Sequence, residues 1–227
     1  MKIFSRVGLL LLSIILLLAM ASCMKPKSVS SEMVAYMNEK YDDHFEYVAP
    51  FGGHVGAITT QIIVASERFP DAQVWVEHYT KDGKDFFADN YVDYKYEEQT
   101  HEALLELLEN VFECEVKLGF GVASKGTQNS FTNETTFEEY FTSAESYIGF
   151  NAVVSCDYMP ESESDIEQKL LSAFADTGLI AGGSIYFSQS EETFQLLSNL
   201  SSSQRRMLKC MSFYMTTPTR FDSCEWR

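Results

Sequence analysis

Four side chains in the N-terminal third of the chain have the types and spacing that metal-dependent catalysis would need. Asp42, Asp43 and His44 are consecutive, and His54 follows in a Gly-rich turn that could return it towards them. Carboxylate oxygens and imidazole nitrogens can together hold a divalent cation. One hypothesis is therefore a surface hydrolase or metal-dependent enzyme built on these four residues. The sequence favours the alternative, a solvated helix end followed by a polar loop.

No other stretch has the spacing of a known catalytic or metal-binding motif. The four histidines lack H-x-x-x-H or H-E-x-x-H spacing, and His78 alternates with valines in a way that indicates a core-facing or edge position. The glycines at 119, 121 and 126 do not fit G-x-G-x-x-G, and Ser184 lacks the G-x-S-x-G spacing of a nucleophile elbow. We therefore expect no catalytic residue, no metal and no cofactor.

The first 23 residues predict where the protein resides. Two basic residues, Lys2 and Arg6, precede an uncharged run over 7–21, which is too short to span a bilayer stably but suits a secretory signal. The run ends in Met-Ala-Ser-Cys, which resembles the lipobox of bacterial lipoproteins. The resemblance implies that residues 1–22 are removed and that Cys23 is lipidated. A diacylglyceryl anchor would then hold the protein on the outer face of the cell membrane.

The charge of the chain excludes one class of partner. Its formal net charge is −16, and the two basic residues of the signal would be lost on cleavage. Such an acidic protein repels phosphate backbones, so we expect no nucleic-acid partner. It also repels an anionic membrane surface.

The hydrophobic patterns predict a single α+β domain over 32–227, joined to Cys23 by a tether over 23–31. Its expected sheet is mostly antiparallel or mixed, with several packed helices. Asp82-Gly83 is a hairpin signal, and possible capping boxes start at Thr135 and Ser164. Helices are predicted over 33–41, 97–112, 135–141, 164–177, 191–200 and 204–209. Strands are predicted over 45–51, 59–66, 73–80, 84–88, 115–123, 147–155, 180–188 and 210–217.

Four cysteines follow Cys23, and an exported protein can keep disulfides. An antiparallel pairing of strands 115–123 and 147–155 that sets Cys114 beside Cys156 also places Val116 opposite Val154 and Phe120 opposite Phe150. Apolar residues then share one face, which makes Cys114–Cys156 the expected disulfide. A parallel arrangement and free structural thiols are the alternatives, and the redox state of Cys210 and Cys224 stays open.

Two segments, YMNEKYDDHFEYVAPFGG at 36–53 and FFADNYVDYKYEEQ at 86–99, extend the comparison beyond the lipobox. Together they resemble an uncharacterised group of small lipoproteins of Gram-positive bacteria. In that group a helix with an E-K-Y ending leads into a strand, and a D-N-Y segment joins a strand to a helix. The resemblance implies location and fold type, and it assigns no catalytic residue.

Three functions are consistent with these features. The leading one is a non-enzymatic lipid-anchored module that binds another surface protein or a small ligand. The second is the enzyme built on Asp42, Asp43, His44 and His54. The third is a ligand-binding lipoprotein associated with a transporter, although the chain is short for a two-lobed clamp.

Overall fold

Nine strands form two separate sheets within the residues that the computed structural model describes, which are 28–51, 59–120, 130–143, 147–155, 162–188, 190–195 and 208–227. Helices cover these sheets, so the α+β class expected from the sequence is confirmed. The strands divide between two sheets, whereas the sequence predicted one. Within the described part of the chain, no helix is long and apolar enough to cross a membrane.

The first sheet is an antiparallel meander of four strands in chain order. A tight turn at Asp82 and Gly83, both with positive φ, closes the predicted hairpin. Helix α1, Val29–Lys40, precedes the sheet and buries Met33 and Met37 in its core. The strands are β1 Phe45–Pro50, β2 Thr59–Ser66, β3 Val74–Lys81 and β4 Lys84–Asp89.

Two consecutive helices lead from the first sheet to the second. Helix α2, Tyr91–Lys95, was not predicted, whereas α3, Glu97–Phe112, has the predicted bounds. Its apolar stripe is buried at Leu104, Leu107, Leu108 and Phe112, and the helix ends at Glu113 in the left-handed conformation.

The second sheet has five strands in the order β5-β6-β7-β8-β9 and is mixed. Strands β6 and β7 are parallel, and the crossover between them contains helix α5, Glu163–Thr177. Gly178 ends this helix in the left-handed conformation, as predicted. The remaining elements are β5 Val116–Phe120, α4 Phe137–Phe141, β6 Ile148–Val154, β7 Ala181–Phe187, α6 Glu191–Gln195, β8 Lys209–Thr217 and β9 Arg220–Trp226.

The predicted antiparallel register between β5 and β6 is confirmed. Val116 pairs with Val154, Leu118 with Ala152 and Phe120 with Phe150. The rival parallel arrangement is therefore wrong for these two strands.

Of the two predicted capping boxes, the first is displaced by one residue and the second is replaced by a single N-cap. The first lies one residue later, where Thr136 and Glu139 cap α4 reciprocally, because the Thr135 hydroxyl instead accepts from the Thr132 amide. The second helix begins earlier, since the Ser162 hydroxyl accepts from the Asp165 amide.

Several terminal assignments also change. Strand β9 was not predicted, and Lys209 opens a strand rather than closing a helix. Residues 196–207, which complete two predicted helices, lie outside the described residues.

Each sheet has its own hydrophobic core, and α4 contributes to both. Tyr140 is buried in the core of the first sheet, and the next residue, Phe141, is buried in the core of the second. Phe137, one turn earlier, packs against both.

Candidate functional site

The predicted catalytic cluster begins with Asp43, whose carboxylate already has several partners in the chain. Its Oδ2 accepts from the Ser66 hydroxyl at 2.5 Å, and its Oδ1 accepts from the backbone amides of His44 and Arg68 at 2.7 and 3.2 Å. Partial burial raises the pKa of Asp43, but these hydrogen bonds outweigh it and hold the pKa below its ordinary value. Asp43 thus joins the end of α1 to the end of β2.

The other members of the cluster have separate surroundings. Asp42 is exposed, and its backbone carbonyl accepts from the Arg68 guanidinium. The His44 ring lies 3.6 Å from the Glu46 carboxylate, with both side chains mostly in solvent. His54 lies outside the described residues. No group of three or more His, Cys, Asp or Glu side chains within the described ranges is arranged to hold a metal ion.

His78 and His101 lie apart from this cluster. His78 is largely buried on β3, where its ring packs on Phe87 and its Nε2 lies 3.1 Å from Asp85 Oδ1. His78 thus shares the core-facing side of β3 with Val74 and Val76, and because β3 is an interior strand the edge alternative is wrong. His101 is half-buried in the first turns of α3.

The main polar cluster of the first sheet surrounds Asp89, which the sequence analysis did not single out. Asp89 is 2% exposed. Its carboxylate accepts from Lys40 Nζ at 2.8 Å and from the hydroxyls of Tyr36 and Tyr41 at 3.1 and 2.9 Å. The Lys40 side chain is only 9% exposed, and its ammonium donates to Tyr36. The charges are thus paired and hydrogen-bonded away from water.

Two neighbours of Asp89 extend this cluster. Asn90 accepts from the Trp75 amide and donates to the Gln73 carbonyl, which fixes the turn after β4. Asp93 accepts from the hydroxyl of Tyr140 at 2.9 Å. Burial and then the adjacent carboxylates raise the pKa of Tyr41 and of Tyr140, so both phenols stay protonated hydrogen-bond donors.

The E-K-Y and D-N-Y segments are therefore in contact. Lys40 and Tyr41 of the first segment bind Asp89 of the second, which explains both motifs by packing rather than by catalysis. The sequence carried a partial signal, because Tyr36 and Lys40 are four residues apart on α1 and so share a face.

An open groove lies between α3 and α5, over the second sheet. Its volume is about 680 Å³, within the range of ligand sites. The lining includes apolar side chains from α3, α4 and α5, namely Ala103, Leu107, Val111, Phe141 and Ala173.

Charged side chains border this apolar lining. Glu106 comes from α3, and Glu113 directly follows that helix. Asp176 comes from α5, where Lys169 is the opposing cation. All four side chains are exposed. The groove can therefore hold an apolar surface and attract positive charge beside it, and it joins residues that the sequence analysis assigned only to separate helices.

Within the described part of the chain, Cys210 and Cys224 are free cysteines that take part in no disulfide. Burial and then the Glu167 carboxylate, which accepts from the thiol at 3.5 Å, raise the pKa of Cys224 to about 12. Residue 156 lies outside the described residues, so the disulfide between Cys114 and Cys156 stays a prediction.

No known protein-family model matches the chain. No curated protein matches it in sequence. Among solved structures, the chain is similar to a DUF5037 family protein from Ruminococcus gnavus ATCC 29149, with 11% identity and a TM-score of 0.40. The likeness covers 86% of this chain and 95% of the other, and it transfers no function.

Proposed function

We propose that this protein is a lipid-anchored module on the outer face of the membrane, and that it binds a basic, amphipathic segment of another surface protein. The observation that carries the proposal is the groove between α3 and α5. An apolar floor beside acidic side chains suits a helix with one apolar and one cationic face.

The electrostatics of the groove support a cationic ligand. Three acidic side chains and one lysine border it, and the chain as a whole is strongly acidic. Complementary charge mainly raises the association rate and selects against acidic ligands, while the apolar floor provides the contact area. An acidic or uncharged small ligand would lack the first of these contributions.

A designed amphipathic helix of Leu and Lys is a suitable probe for the groove. Reversing two charges with Glu106→Lys and Asp176→Lys is expected to weaken its binding at least tenfold, as measured by calorimetry. The control is Glu32→Lys with Glu39→Lys, which makes the same charge change on exposed positions of α1. Equal weakening by both pairs would assign the effect to net charge and contradict a groove site.

The anchor has its own test. Cys23→Ala is expected to abolish lipidation and release the protein from membranes, because attachment needs the acyl chains that lipobox processing supplies. Membrane fractionation with labelled palmitate would measure this. Retention of a correctly cleaved Cys23→Ala form would show that another element holds the protein to the membrane.

A further inference from the structure

The first sheet has a second side, away from its hydrophobic core. Val74 and Val76 of β3 are fully buried in that core. Successive side chains of a strand point to opposite sides, so the outer side carries the alternating residues Trp75, Glu77 and Tyr79. All three are partly exposed. Trp75 and Tyr79 pack in neither of the two cores that the described residues form.

The strand register extends this outer side across three strands. Glu77 lies opposite Gln61 on β2 and opposite Ala88 on β4. Tyr79 lies opposite Phe86 of β4, and their rings stack with centroids 5.3 Å apart. Directly paired residues of an antiparallel sheet share a face. One continuous surface results, here called the outer platform, which is formed by Gln61, Trp75, Glu77, Tyr79, Phe86 and Ala88.

Aromatic rings lie at both ends of the outer platform, and its middle is polar. Trp75 and Tyr79 lie two residues before and two residues after Glu77, which is about 7 Å along the strand in each direction. Gln61 lies beside Glu77 on the neighbouring strand, and both are only partly exposed. Within the described part of the chain, neither of these polar side chains has a hydrogen-bond or ion-pair partner. The platform therefore offers unused hydrogen-bonding groups between two apolar surfaces.

The layout and the size of the outer platform argue against a protein partner. The cores of protein interfaces are depleted in charged residues, and their polar groups form the rim. Here the Glu77 carboxylate is central and the aromatic rings flank it. Strand spacing and rise give the platform an area of about 300 Å². A stable protein interface buries about 800 Å² on each partner.

A saccharide chain suits this layout better. The C–H groups on the flat side of a sugar ring stack on aromatic rings, which supply the apolar contact. The sugar hydroxyls both donate and accept, which matches the amide of Gln61 and the carboxylate of Glu77. We propose that the outer platform binds a flat, β-linked oligosaccharide, which stacks on Trp75 at one end and on Tyr79 and Phe86 at the other. The site is separate from the groove between α3 and α5, and it does not depend on the lipid anchor.

The first test uses Trp75 itself as the reporter. The chain has two tryptophans, so Trp226→Phe in the full chain leaves Trp75 as the single fluorophore and does not alter the platform. Cellohexaose, an extended β-linked ribbon, is expected to shift the Trp75 emission with a saturable dose dependence. Maltohexaose has the same glucose units in a coiled α-linked chain, and we expect it to bind roughly tenfold more weakly.

The second test measures the affinity of cellohexaose by calorimetry for variants of the otherwise native chain. Trp75→Ala removes one stacking ring, and Gln61→Leu replaces a hydrogen-bonding group with an apolar one. Each is expected to weaken binding roughly tenfold. The matched control is Tyr47→Ala, which removes a 49% exposed ring from the opposite side of the same sheet and should leave the affinity unchanged. Circular dichroism checks that each variant is folded.

Selective loss of affinity in the two platform variants would support the saccharide site. Absence of saturable binding of either sugar, or equal binding of both, would overturn the inference. An affinity that Trp75→Ala leaves unchanged would also overturn it, because the sugar would then bind elsewhere. Trp75 emission that changes with protein concentration in the absence of sugar would assign the platform to a second copy, which again contradicts the proposal.

Discussion

Lys40 Nζ lies 2.8 Å from Asp89 Oδ2, and both side chains are almost inaccessible to water. Burying each charge is costly, and the cost is offset only while both are paired and the hydroxyls of Tyr36 and Tyr41 and the amide of Tyr91 donate to Asp89. The pair therefore makes the contact between α1 and β4 specific without assuring a large net gain in stability.

Lys40→Met is expected to lower the free energy of unfolding by roughly 3–5 kcal/mol, because it leaves the Asp89 charge buried without its ion partner. Urea denaturation followed by circular dichroism would measure the change. Lys84→Met, at an exposed position in β4, is the matched control and should stay within about 0.5 kcal/mol. The double variant Lys40→Met with Asp89→Asn should recover much of the loss, because the amide carries no charge and its oxygen can still accept from the Tyr41 hydroxyl and the Tyr91 amide. No recovery would contradict the buried-charge explanation.

Gly183 is required by a close approach of two strands. A Cβ at this position would lie 1.8 Å from the carbonyl oxygen of Phe150, its parallel partner on β6. Gly183→Ala is therefore expected to cost about 3 kcal/mol, the upper end for overpacking.

Gly83→Ala provides a comparison in which only backbone conformation matters. Gly83 has a φ of +72°, and a Cβ placed on it would have no atom within 4 Å. Gly83→Ala should therefore lower the free energy of unfolding by about 1–2 kcal/mol, through backbone strain alone. Thermal unfolding of both variants would rank them. A smaller loss for Gly183→Ala than for Gly83→Ala would show that the strands can separate without penalty.

At the scale of elements, the strongest local patterns predicted the structure well. The apolar stripe of α3 predicted both ends of the helix, and the alternation of apolar residues in β5 and β6 predicted their antiparallel pairing. Both patterns are strong because one face of each element is buried. Short elements such as α2 escaped prediction because five residues contain too little periodicity. The division into two sheets depends on long-range packing that local patterns do not encode.

The same distinction explains the outcome for the sites. Asp42, Asp43 and His44 were identified by adjacency in sequence, yet Asp43 binds Ser66 and the Arg68 amide, which belong to the end of β2 and the turn after it. The groove needs α3 and α5 side by side, and no local signal places two helices 50 residues apart against each other.

The reciprocal cap of α4 can be tested alone. Thr136→Ala removes the hydroxyl that accepts from the Glu139 amide, and it is expected to destabilise the protein by about 1 kcal/mol. Chemical denaturation would detect this. Thr136→Ser keeps the hydroxyl and should behave almost as the native chain, whereas equal losses for serine and alanine would argue against the cap.

At the scale of the whole molecule, the described structure predicts that the two sheets unfold together, because α4 belongs to both cores. Trp75 reports on β3 and Trp226 on β9, so Trp226→Phe and Trp75→Phe each leave a single fluorophore. The two variants should give coincident denaturation profiles after normalisation to their own circular dichroism. A fluorescence transition that separates from circular dichroism in either variant would show independent sheets.

Stability should also fall at alkaline pH. Burial and nearby carboxylates raise the pKa of Tyr36, Tyr41 and Tyr140 in the folded protein. The pKa of tyrosine in an unfolded chain is about 10. The unfolded state loses these protons first, so the stabilisation is complete below about pH 10 and is lost as the pH rises towards the folded values. Denaturation at several alkaline pH values would show the decline, and Tyr41→Phe should make it shallower. An unchanged slope would exclude Tyr41 from the titration.

The hydrogen bond from Tyr140 to Asp93 has a consequence for the order of assembly. A chain that emerges N-terminus first exposes all four strands of the first sheet well before Phe131 and Tyr140 complete its core. During that interval Asp93 lacks the phenol that it binds in the finished protein. The meander can pair early because its contacts are local. The core of this sheet is complete only when Tyr140 has been added. An emerging chain therefore passes through a stage in which the strands of the first sheet are paired and its core is still incomplete.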